Sequence, residues 1–574
     1  MNRHLILAAL LLLTLPLVTA ARSESIELLT VSETENGTRE VGGTATMNLQ
    51  ISPGSGNVFI DSFPLTQLDT QISTRFAKEV ACDFTNRDCD NVNFYYTIRA
   101  SSSVVGGPSA GAAASVLTST VLNNHSLSDN TIMTGTINSG GYIGPVGGID
   151  AKIRSAANNG YETIIIPKYS SVNQQTIVNE SPSLDEDIDV ETVTTLPEAY
   201  EAFTGANEPR RQSINVSSEY NRVMEGIATD LCQRNDQLLQ EANLPENTTV
   251  YNESIEAKQN AQAAIQQNGY YSAASYCFTA NIDLRETILE NRSEDERALI
   301  KQGVIQDARA LLDNVQARDI ETISDVEASI IVKERLYEVL DESVQDERST
   351  AYLVERLDSA RAWQSFFNFS SPRIELDQEY LREACLTKKR EAEERVRYLD
   401  FFLQSIERYE ADLDDVEETY QSGDYTYCLF QASQLKADAN SVITGRGIEG
   451  EYQQSYVQDK LRISQKQIAN QNDYFPILGY SYYTYAQDLQ EDQPGLAAVF
   501  SEYAAEFSAL DMYFDADNNE PVTFGDNAEP ITCPVPERPT GNNDYQYTIL
   551  GIGIFIGILL VGVIHSIRRI RSDH

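Results

Sequence analysis

The chain has 574 residues, of which 41% are apolar, so it is long enough and apolar enough to fold into several domains. Its 86 acidic residues outnumber the 43 basic ones, and the formal net charge of -43 repels phosphate backbones and excludes DNA or RNA as a main partner. Only 11 of the basic residues are lysines, and such an acidic, lysine-poor composition is typical of halophilic proteins.

Residues 1–20 have the pattern of a secretory signal. The short polar head Arg3-His4 precedes an apolar stretch, and small residues at Val18 and Ala20 end it. An uncleaved membrane anchor is the alternative. We interpret this segment as a signal peptide.

Residues 25–205 mix strand and helix patterns, which predicts an α+β domain. Alternating residues at 44–51, a Pro-Gly-Ser-Gly turn at 53–56 and an apolar return at 57–60 predict a β-hairpin. Helices are predicted at residues 71–81 and 110–122, and strands at 92–100 and 163–167.

Residues 206–514 consist of polar stretches with helical spacing, which predicts an all-α region. The segments 266–280 and 420–432 resemble each other, and 471–486 is a weaker third copy. Each has a turn signal followed by Tyr and Ala, as helical hairpins need, although chance similarity is the alternative. Residues 280–369 predict long charged helices that we interpret as a coiled pair with a solvated face.

The C-terminal segments predict a membrane anchor. Residues 515–546 are rich in Asn, Asp and Pro and indicate an extended stalk. Residues 547–567 are apolar and about long enough to cross a bilayer core, and three arginines follow in 568–574. We expect a single-pass protein of the cell membrane, with the N-terminal ectodomain outside and residues 568–574 in the cytoplasm.

Six of the seven cysteines fall into local pairs, which an oxidising exterior would convert into disulfides. The pairs are Cys82 with Cys89, Cys232 with Cys277, and Cys385 with Cys428. Cys533 is left over in the stalk. Seven unpaired thiols are the alternative.

The first conspicuous motif is Gly-Gly-Pro-Ser-Ala-Gly at 106–111, after a predicted strand and at the start of a predicted helix. Ser109 would have its hydroxyl near free backbone N–H groups and the positive end of the helix dipole, an arrangement that favours oxyanion binding. Gly107 and Ala110 support this turn, and glycine lets the backbone approach a substrate closely. A phosphate cradle or a simple helix cap is the alternative.

The second motif runs from Met133-Thr134-Gly135 to Gly-Gly-Ile-Asp-Ala-Lys152. Lys152 is predicted in the first turn of a helix that follows a hairpin, and a surface lysine is the alternative. His125 lies about four helical turns beyond Ser109, roughly 20 Å away, so it cannot serve as the base of that serine. A Ser-His-Asp site is therefore excluded.

Metal and nucleotide chemistry are not expected. Three of the four histidines lie near the chain ends, so the body of the protein cannot form a His-rich metal site. No Gly-Lys pair occurs, so there is no Walker-type phosphate loop. We expect no cofactor and no ATP-dependent step.

Together the two motifs, followed by Asn-Asn-Gly-Tyr-Glu-Thr-Ile-Ile-Ile-Pro-Lys, resemble the proteolytic domain of Lon proteases over roughly residues 45–170. The resemblance implies a Lon-type fold and a Ser-Lys dyad, with Ser109 as the nucleophile and Lys152 as the general base. It also implies that Thr134 orients the lysine amine. The chain departs from the family at Gly106, where Lon often has Asp, and in lacking the ATP-driven unfolding module.

With its signal and anchor, the chain resembles the ATP-independent, membrane-attached Lon-like peptidases of archaea. We expect a serine endopeptidase that hydrolyses unfolded or extended proteins outside the cell membrane, and the resemblance alone implies a homohexamer. The alternatives are an inactive membrane-anchored binding or assembly protein on a Lon-like fold, and a protease limited to cleaving its own stalk.

The need for a neutral Lys152 predicts how activity depends on salt. A free lysine has a pKa of about 10.4, and Lys152 must be neutral to accept the proton of Ser109, so burial must bring this pKa down to about 7. Exposed carboxylates oppose that change, and salt screens them. We therefore expect activity to rise, and the pH optimum to fall, as salt increases.

Overall fold

The computed structural model describes residues 22–33, 40–100, 107–170, 188–206, 213–341, 345, 349–373, 376–400, 403–445, 448, 451–471, 474–514 and 520–521. It has a β-sheet with flanking helices in the first 206 residues and helices through most of the rest. The described residues of both regions belong to one compact unit, so contacts between the regions can be followed.

A mixed seven-stranded sheet is the scaffold of the first region, in the order β10-β9-β6-β1-β2-β5-β3. The strand β2 is antiparallel to both β1 and β5, and the other neighbours in the sheet are parallel. Two small sheets pair β7 with β8 and β4 with β11. The strands are β1 (Arg22–Glu33), β2 (Glu40–Pro53), β3 (Val58–Phe63), β4 (Arg87–Asp88), β5 (Val92–Ala100), β6 (Thr131–Met133), β7 (Thr136–Ile137), β8 (Ile143–Gly144), β9 (Thr163–Pro167), β10 (Asp189–Val193) and β11 (Glu520–Pro521).

The predicted hairpin at residues 44–60 is wrong, because β5 lies between β2 and β3. The turn that connects those two strands passes over Asn93 of β5. The side-chain oxygen of Asn93 accepts hydrogen bonds from the backbone N–H groups of Ser55 (3.0 Å) and Asn57 (3.2 Å). Alternate residues of β5 are fully buried apolar or aromatic side chains, so a position between two strands buries this face better than an edge would.

Helices cover both faces of the sheet, and they confirm the helices predicted at 71–81 and 110–122. One face packs against α1 (Leu68–Thr85), α2 (Gly111–Asn123) and α4 (Leu196–Thr204). The other face packs against α3 (Ile149–Asn158). A Cβ at Gly42 of β2 would lie 2.2 Å from the carbonyl oxygen of Ala151, so glycine at this position lets α3 lie directly on the sheet.

The second region is all α, as predicted. Its helices begin at recognisable caps: Ser293 and Glu296, for example, form a reciprocal capping box at the start of α8. The helices are α5 (Ser218–Ala242), α6 (Thr249–Gln266), α7 (Tyr270–Glu290), α8 (Glu294–Gln316), α9 (Ile323–Leu340), α10 (Thr350–Trp363), α11 (Gln378–Leu399), α12 (Glu407–Ser422), α13 (Tyr425–Gly445), α14 (Glu451–Asn470), α15 (Ile477–Leu489) and α16 (Pro494–Phe507).

The similar segments lie at helix-to-helix corners, as predicted. Gly269 precedes α7, and Gly423 ends α12 with a φ of 85°, a left-handed conformation that favours glycine. The weaker copy spans the connection from α14 to α15. The corner residues therefore have the turning role that the pattern indicates.

The predicted coiled pair at residues 280–369 is wrong for α9, which is buried around most of its circumference. Its charged residues have partners inside the fold. Lys333 forms an ion pair of 2.6 Å with Asp424, and Glu327 accepts hydrogen bonds from the backbone at the start of α15. Pairing of this kind allows a charged sequence to form a core helix.

Three disulfides confirm the expected pairing. They link Cys82 with Cys89, Cys232 with Cys277, and Cys385 with Cys428. The last one joins α11 to α13.

The predicted terminal segments lie largely outside the described residues. These are the signal at 1–20, the stalk at 515–546 apart from 520–521, the apolar segment at 547–567, and the tail. Across the part of the chain that the structure describes, none of the helices combines the length and apolar character needed to span a bilayer.

A buried carboxyl makes stability depend on pH. Burial, and next the charge of Asp83, raises the pKa of Asp511 from 3.8 to about 8. Between those values the folded protein holds a proton that the unfolded chain has lost, so stability falls as pH rises. We predict that Asp511→Asn raises the free energy of unfolding at about pH 8 more than at about pH 5, with a slope of up to about 1.4 kcal/mol per pH unit. Urea unfolding at both pH values measures this difference, and an equal gain at both would contradict it.

Candidate active site

Ser109 lies in the short helical turn Pro108–Ala110, which leads directly into the buried helix α2. Gly107 precedes the turn with a φ of 91° and ψ of 151°, a conformation that side-chain-bearing residues rarely adopt. The Ser109 and Ala110 residues are partly exposed, whereas α2 is buried from Gly111 to Leu122. The fold therefore presents this serine at the accessible start of a rigid helix.

Lys152 lies in the first turn of α3, as predicted, and it is buried at 3% exposure. Its Nζ donates a hydrogen bond of 3.0 Å to Oγ1 of Thr134, which is itself buried. The Thr134 hydroxyl in turn lies 3.4 Å from the carbonyl oxygen of Ser109, to which it donates. Two hydrogen bonds through Thr134 thus connect Lys152 to the Ser109 backbone.

Gly135 brings the second motif against the serine turn. Its N–H donates to the carbonyl oxygen of Ser109 (3.1 Å), and its own carbonyl accepts from the N–H of Ala112 (3.0 Å). A Cβ at Gly135 would lie 2.6 Å from Cγ2 of Ile143 and 3.2 Å from Cβ of Ala112. The glycine of the Met-Thr-Gly motif therefore permits a backbone contact that a larger residue would block.

Residues 134–148, which we call the catalytic hairpin, connect Thr134 to the helix that carries Lys152. The segment contains β7, a short turn at Ser139–Gly141, and β8. The N–H of Ile143 donates to the carbonyl oxygen of Thr194 (2.9 Å), which joins the hairpin to the start of α4. Both ends of the hairpin therefore contact the site, since one carries Thr134 and Gly135 and the other leads into α3.

Sequence reasoning missed the side chains that cover the tip of this hairpin. They belong to the helical region, far along the chain: Arg395 donates to the carbonyl oxygen of Ile137 (2.6 Å), and Lys436 donates to Oγ of Ser139 (3.1 Å). Nothing in their local sequence marks them: Arg395 lies in a highly charged helical segment that resembles an exposed one, and Lys436 is one of the few charged residues of its helix.

The structure places some of the predicted site residues together and others elsewhere. The structure brings Ser109, Thr134 and Lys152 together, and Gly107 and Ala110 flank the serine. Gly106 lies outside the described residues. His125 follows α2, and its Nδ1 lies 2.6 Å from the hydroxyl of Tyr200.

The serine at the helix start and the buried lysine lie in a part of the chain that is similar to known proteolytic domains. Residues 74–204 match the family described as the Lon protease (S16) C-terminal proteolytic domain. This match supports a serine peptidase domain, and it covers both Ser109 and Lys152.

Individual Lon proteases are similar to this chain over short stretches. The Lon protease of Methanosphaera stadtmanae is 24% identical over 176 residues, which are 30% of this chain and 20% of that protein. The Lon protease of Mesomycoplasma hyopneumoniae is 28% identical over 155 residues, 26% of this chain and 18% of that protein. Lon protease 2 of Borreliella burgdorferi is 30% identical over 95 residues, 17% and 12% of the two chains. This chain therefore spans at most 20% of the length of these relatives.

Proposed function

We propose that the protein is an ATP-independent serine endopeptidase with Ser109 as nucleophile and Lys152 as general base. The observation that carries this proposal is the pair of hydrogen bonds from Lys152 to Thr134 and from Thr134 to the backbone carbonyl of Ser109. A buried lysine connected in this way to a serine at a helix start supports Ser-Lys catalysis. The match of residues 74–204 to Lon proteolytic domains supports the same chemistry.

The reaction starts with proton transfer from Ser109 Oγ to the neutral amine of Lys152 while Oγ attacks the peptide carbonyl carbon. Backbone N–H groups of the turn that carries Ser109, just before α2, stabilise the negative charge on the carbonyl oxygen. The tetrahedral intermediate collapses, the C–N bond breaks, and Lys152 gives its proton to the leaving amine. Water then attacks the acyl-enzyme, passes a proton through Lys152 to Ser109, and releases the acid product.

The surroundings of Lys152 favour the neutral amine. The side chains of Val146, Ile149 and Ile153 are buried, and transfer into such surroundings disfavours a charged ammonium. The Nζ of Lys152 donates to the hydroxyl of Thr134, which is a neutral acceptor. Exposed carboxylates oppose the neutral form, and salt screens them.

The proposal extends to location and partners. The substrates are peptides and unfolded or extended proteins outside the cell membrane, and residues 547–567 anchor the protein there. The acidic composition suits high salt, as in halophilic archaea, and the Lon resemblance supports a homo-oligomer such as a hexamer. The helical region presents substrate segments or supports assembly.

The test is labelling of the full chain with a fluorophosphonate, followed by digestion of an unfolded protein in high salt without ATP. We expect one labelled peptide containing Ser109 and loss of digestion after labelling. An inert Lon-like fold would leave Ser109 unlabelled, which would overturn the proposal. A protease limited to its own stalk would label but would leave the added protein intact.

Thr134 offers a further prediction. Thr134→Val removes the hydroxyl that connects Lys152 to the Ser109 carbonyl, and we expect kcat to fall roughly 10- to 100-fold because the base loses its orientation. Thr134→Ser keeps the hydroxyl and serves as the control, with kcat expected within about 3-fold of the unmodified protein. Steady-state hydrolysis of one peptide by both variants measures the effect. Because valine keeps the Thr134 methyl group and serine keeps the hydroxyl, a loss in Thr134→Ser as large as that in Thr134→Val would contradict this prediction.

A further inference from the structure

The tip of the catalytic hairpin is enclosed by helices of the second region. Besides the bonds from Arg395 and Lys436, Lys460 of α14 places its Nζ 3.5 Å from the ring centre of Tyr142. The backbone N–H of Gly147 donates to the hydroxyl of Tyr398. Contacts therefore reach the hairpin at its tip and again near its connection to α3.

One of these donors, Lys436, belongs to a buried ionic cluster. Lys436 lies 2.8 Å from Glu391 and 3.1 Å from Glu506, and Lys388 lies 2.8 Å from Glu506. The hydrogen bond from Lys436 to the hydroxyl of Ser139 connects this cluster to the hairpin. The cluster thus joins α11, α13 and α16 to the hairpin with two cations balancing two anions.

The helix pair that carries these donors is covalently joined. The disulfide between Cys385 and Cys428 links α11 to α13. Beyond Cys385, α11 continues to Arg395 and Tyr398; beyond Cys428, α13 continues to Lys436. Both helices reach the hairpin from the same cross-linked pair.

We infer that Arg395 is a positioning residue for catalysis, and that the α11–α13 pair sets the geometry of the dyad by holding the catalytic hairpin. The inference rests on the proposed function of Ser109 and Lys152. It assigns to the helical region a part in the chemistry of the first region, distinct from any role in presenting substrate.

The path from Arg395 to the dyad is short. Ile137, whose carbonyl accepts from Arg395, follows Gly135 and Thr136 in the same segment. Gly135 bonds the Ser109 carbonyl, and Thr134 holds Lys152. Because catalysis is sensitive to displacements of about 1 Å, a hairpin that loosens at Ile137 separates the base from the nucleophile.

The experiment compares Arg395→Ala, Arg395→Lys and the control Arg356→Ala in the full chain. Arg356 is another arginine of the helical region, and it forms ion pairs with Glu334 and Glu338. We expect Arg395→Ala to lower kcat about 100-fold with KM within about 3-fold, because binding surfaces remain while the dyad geometry is lost. Arg395→Lys keeps one donor and recovers part of the loss, and Arg356→Ala keeps kcat within about 3-fold.

Unchanged kcat in Arg395→Ala, or equal losses in Arg395→Ala and Arg356→Ala, would overturn the inference. If Arg395→Ala does not fold, Arg395→Met decides, because methionine keeps the apolar length of the side chain but donates no hydrogen bond; full activity of that variant contradicts a positioning role. Thermal unfolding of each variant shows how much of any loss of kcat results from lower stability alone.

Hydrogen exchange separates this inference from the proposed function. The N–H groups of Asn138 and Ile143 are bonded inside or beside the hairpin, and we expect both to exchange faster in Arg395→Ala than in Arg356→Ala. This readout needs no activity. An unmodified protein that neither labels nor cleaves overturns the proposed function, whereas unchanged exchange in the hairpin overturns the holding role of Arg395.

Discussion

Replacing Ser109 with alanine is expected to abolish peptide-bond hydrolysis while leaving the fold intact. The side chain is small and partly exposed, so its hydroxyl contributes little to the core. Loss of the nucleophile removes the acyl-enzyme step, and we expect kcat to fall by a factor on the order of 10⁴ to 10⁶. Digestion of an unfolded protein in high salt, with far-ultraviolet circular dichroism as a check on folding, measures the effect.

Lys152→Arg provides the matched test of the base. Arginine can donate to Thr134, but it is permanently charged and cannot be deprotonated in a protein, so it cannot accept the Ser109 proton. We expect a loss as large as that of Ser109→Ala. Lys258→Arg, at a partly exposed ion pair with Asp236, is the control and should remain active. Retained hydrolysis by either Ser109→Ala or Lys152→Arg would contradict the Ser-Lys mechanism.

Replacing Lys436 with methionine is expected to produce the largest loss of stability. Lys436 is fully buried, with an ion pair to Glu391 and another to Glu506. Although burial alone acts to raise it, the charges of Lys388 and Lys436 lower the pKa of Glu506 to about 2, so this carboxyl is ionised at neutral pH. Removing one cation leaves the cluster with an unbalanced buried charge, which costs on the order of 3–5 kcal/mol. Urea unfolding at neutral pH measures the change.

The control for this prediction restores the charge balance. Lys436→Met combined with Glu391→Gln leaves one cation and one anion in the cluster, and we expect the double variant to recover part of the lost stability. Glu391→Gln also keeps an oxygen to accept the hydroxyl of Tyr513 (2.9 Å). A double variant no more stable than Lys436→Met would contradict the explanation by charge balance.

The positions of Ser109 and Lys152 at helix starts could be predicted, because both motifs contain residue types, such as glycine, that occur in few kinds of local structure. A serine after Gly-Pro at a helix start and a lysine after Gly-Gly-Ile-Asp-Ala place both side chains at the first turns of their helices. The glycine at 135 marks the backbone approach that joins the two turns. The Lon resemblance implied that Thr134 orients the Lys152 amine, and the structure has a hydrogen bond between these two side chains and another from Thr134 to the backbone carbonyl of Ser109.

The order of the strands in the sheet could not be predicted from the sequence in this way. The turn after β2 looks like a hairpin locally, yet β5, more than thirty residues later, takes the place beside β2. Apolar alternation indicates which face of a strand is buried, but it does not say which strand lies next to it. The pairing depends on the total apolar area that the sheet can cover.

The burial of charged residues could not be predicted from the sequence, for a related reason. Lys388 occurs in a charged helical stretch and Lys436 in a helix with few other charges, and their partners lie on other helices. The bond from Arg395 to Ile137 joins residues separated by 258 positions. A single sequence contains no signal for such long-range polar pairs, because each partner alone resembles a surface residue.

Because helices of the second region cover Ile137 and Tyr142, the choice of fragment boundaries matters when parts of this protein are expressed. Composition invites a boundary near residue 206, where the match to Lon domains also stops. A fragment ending there would expose Tyr142, Phe76 and the Ile137 carbonyl, all of which the helical region covers or contacts. Expression designs for crystallisation or enzymology should therefore extend at least to the end of the described helices at residue 514.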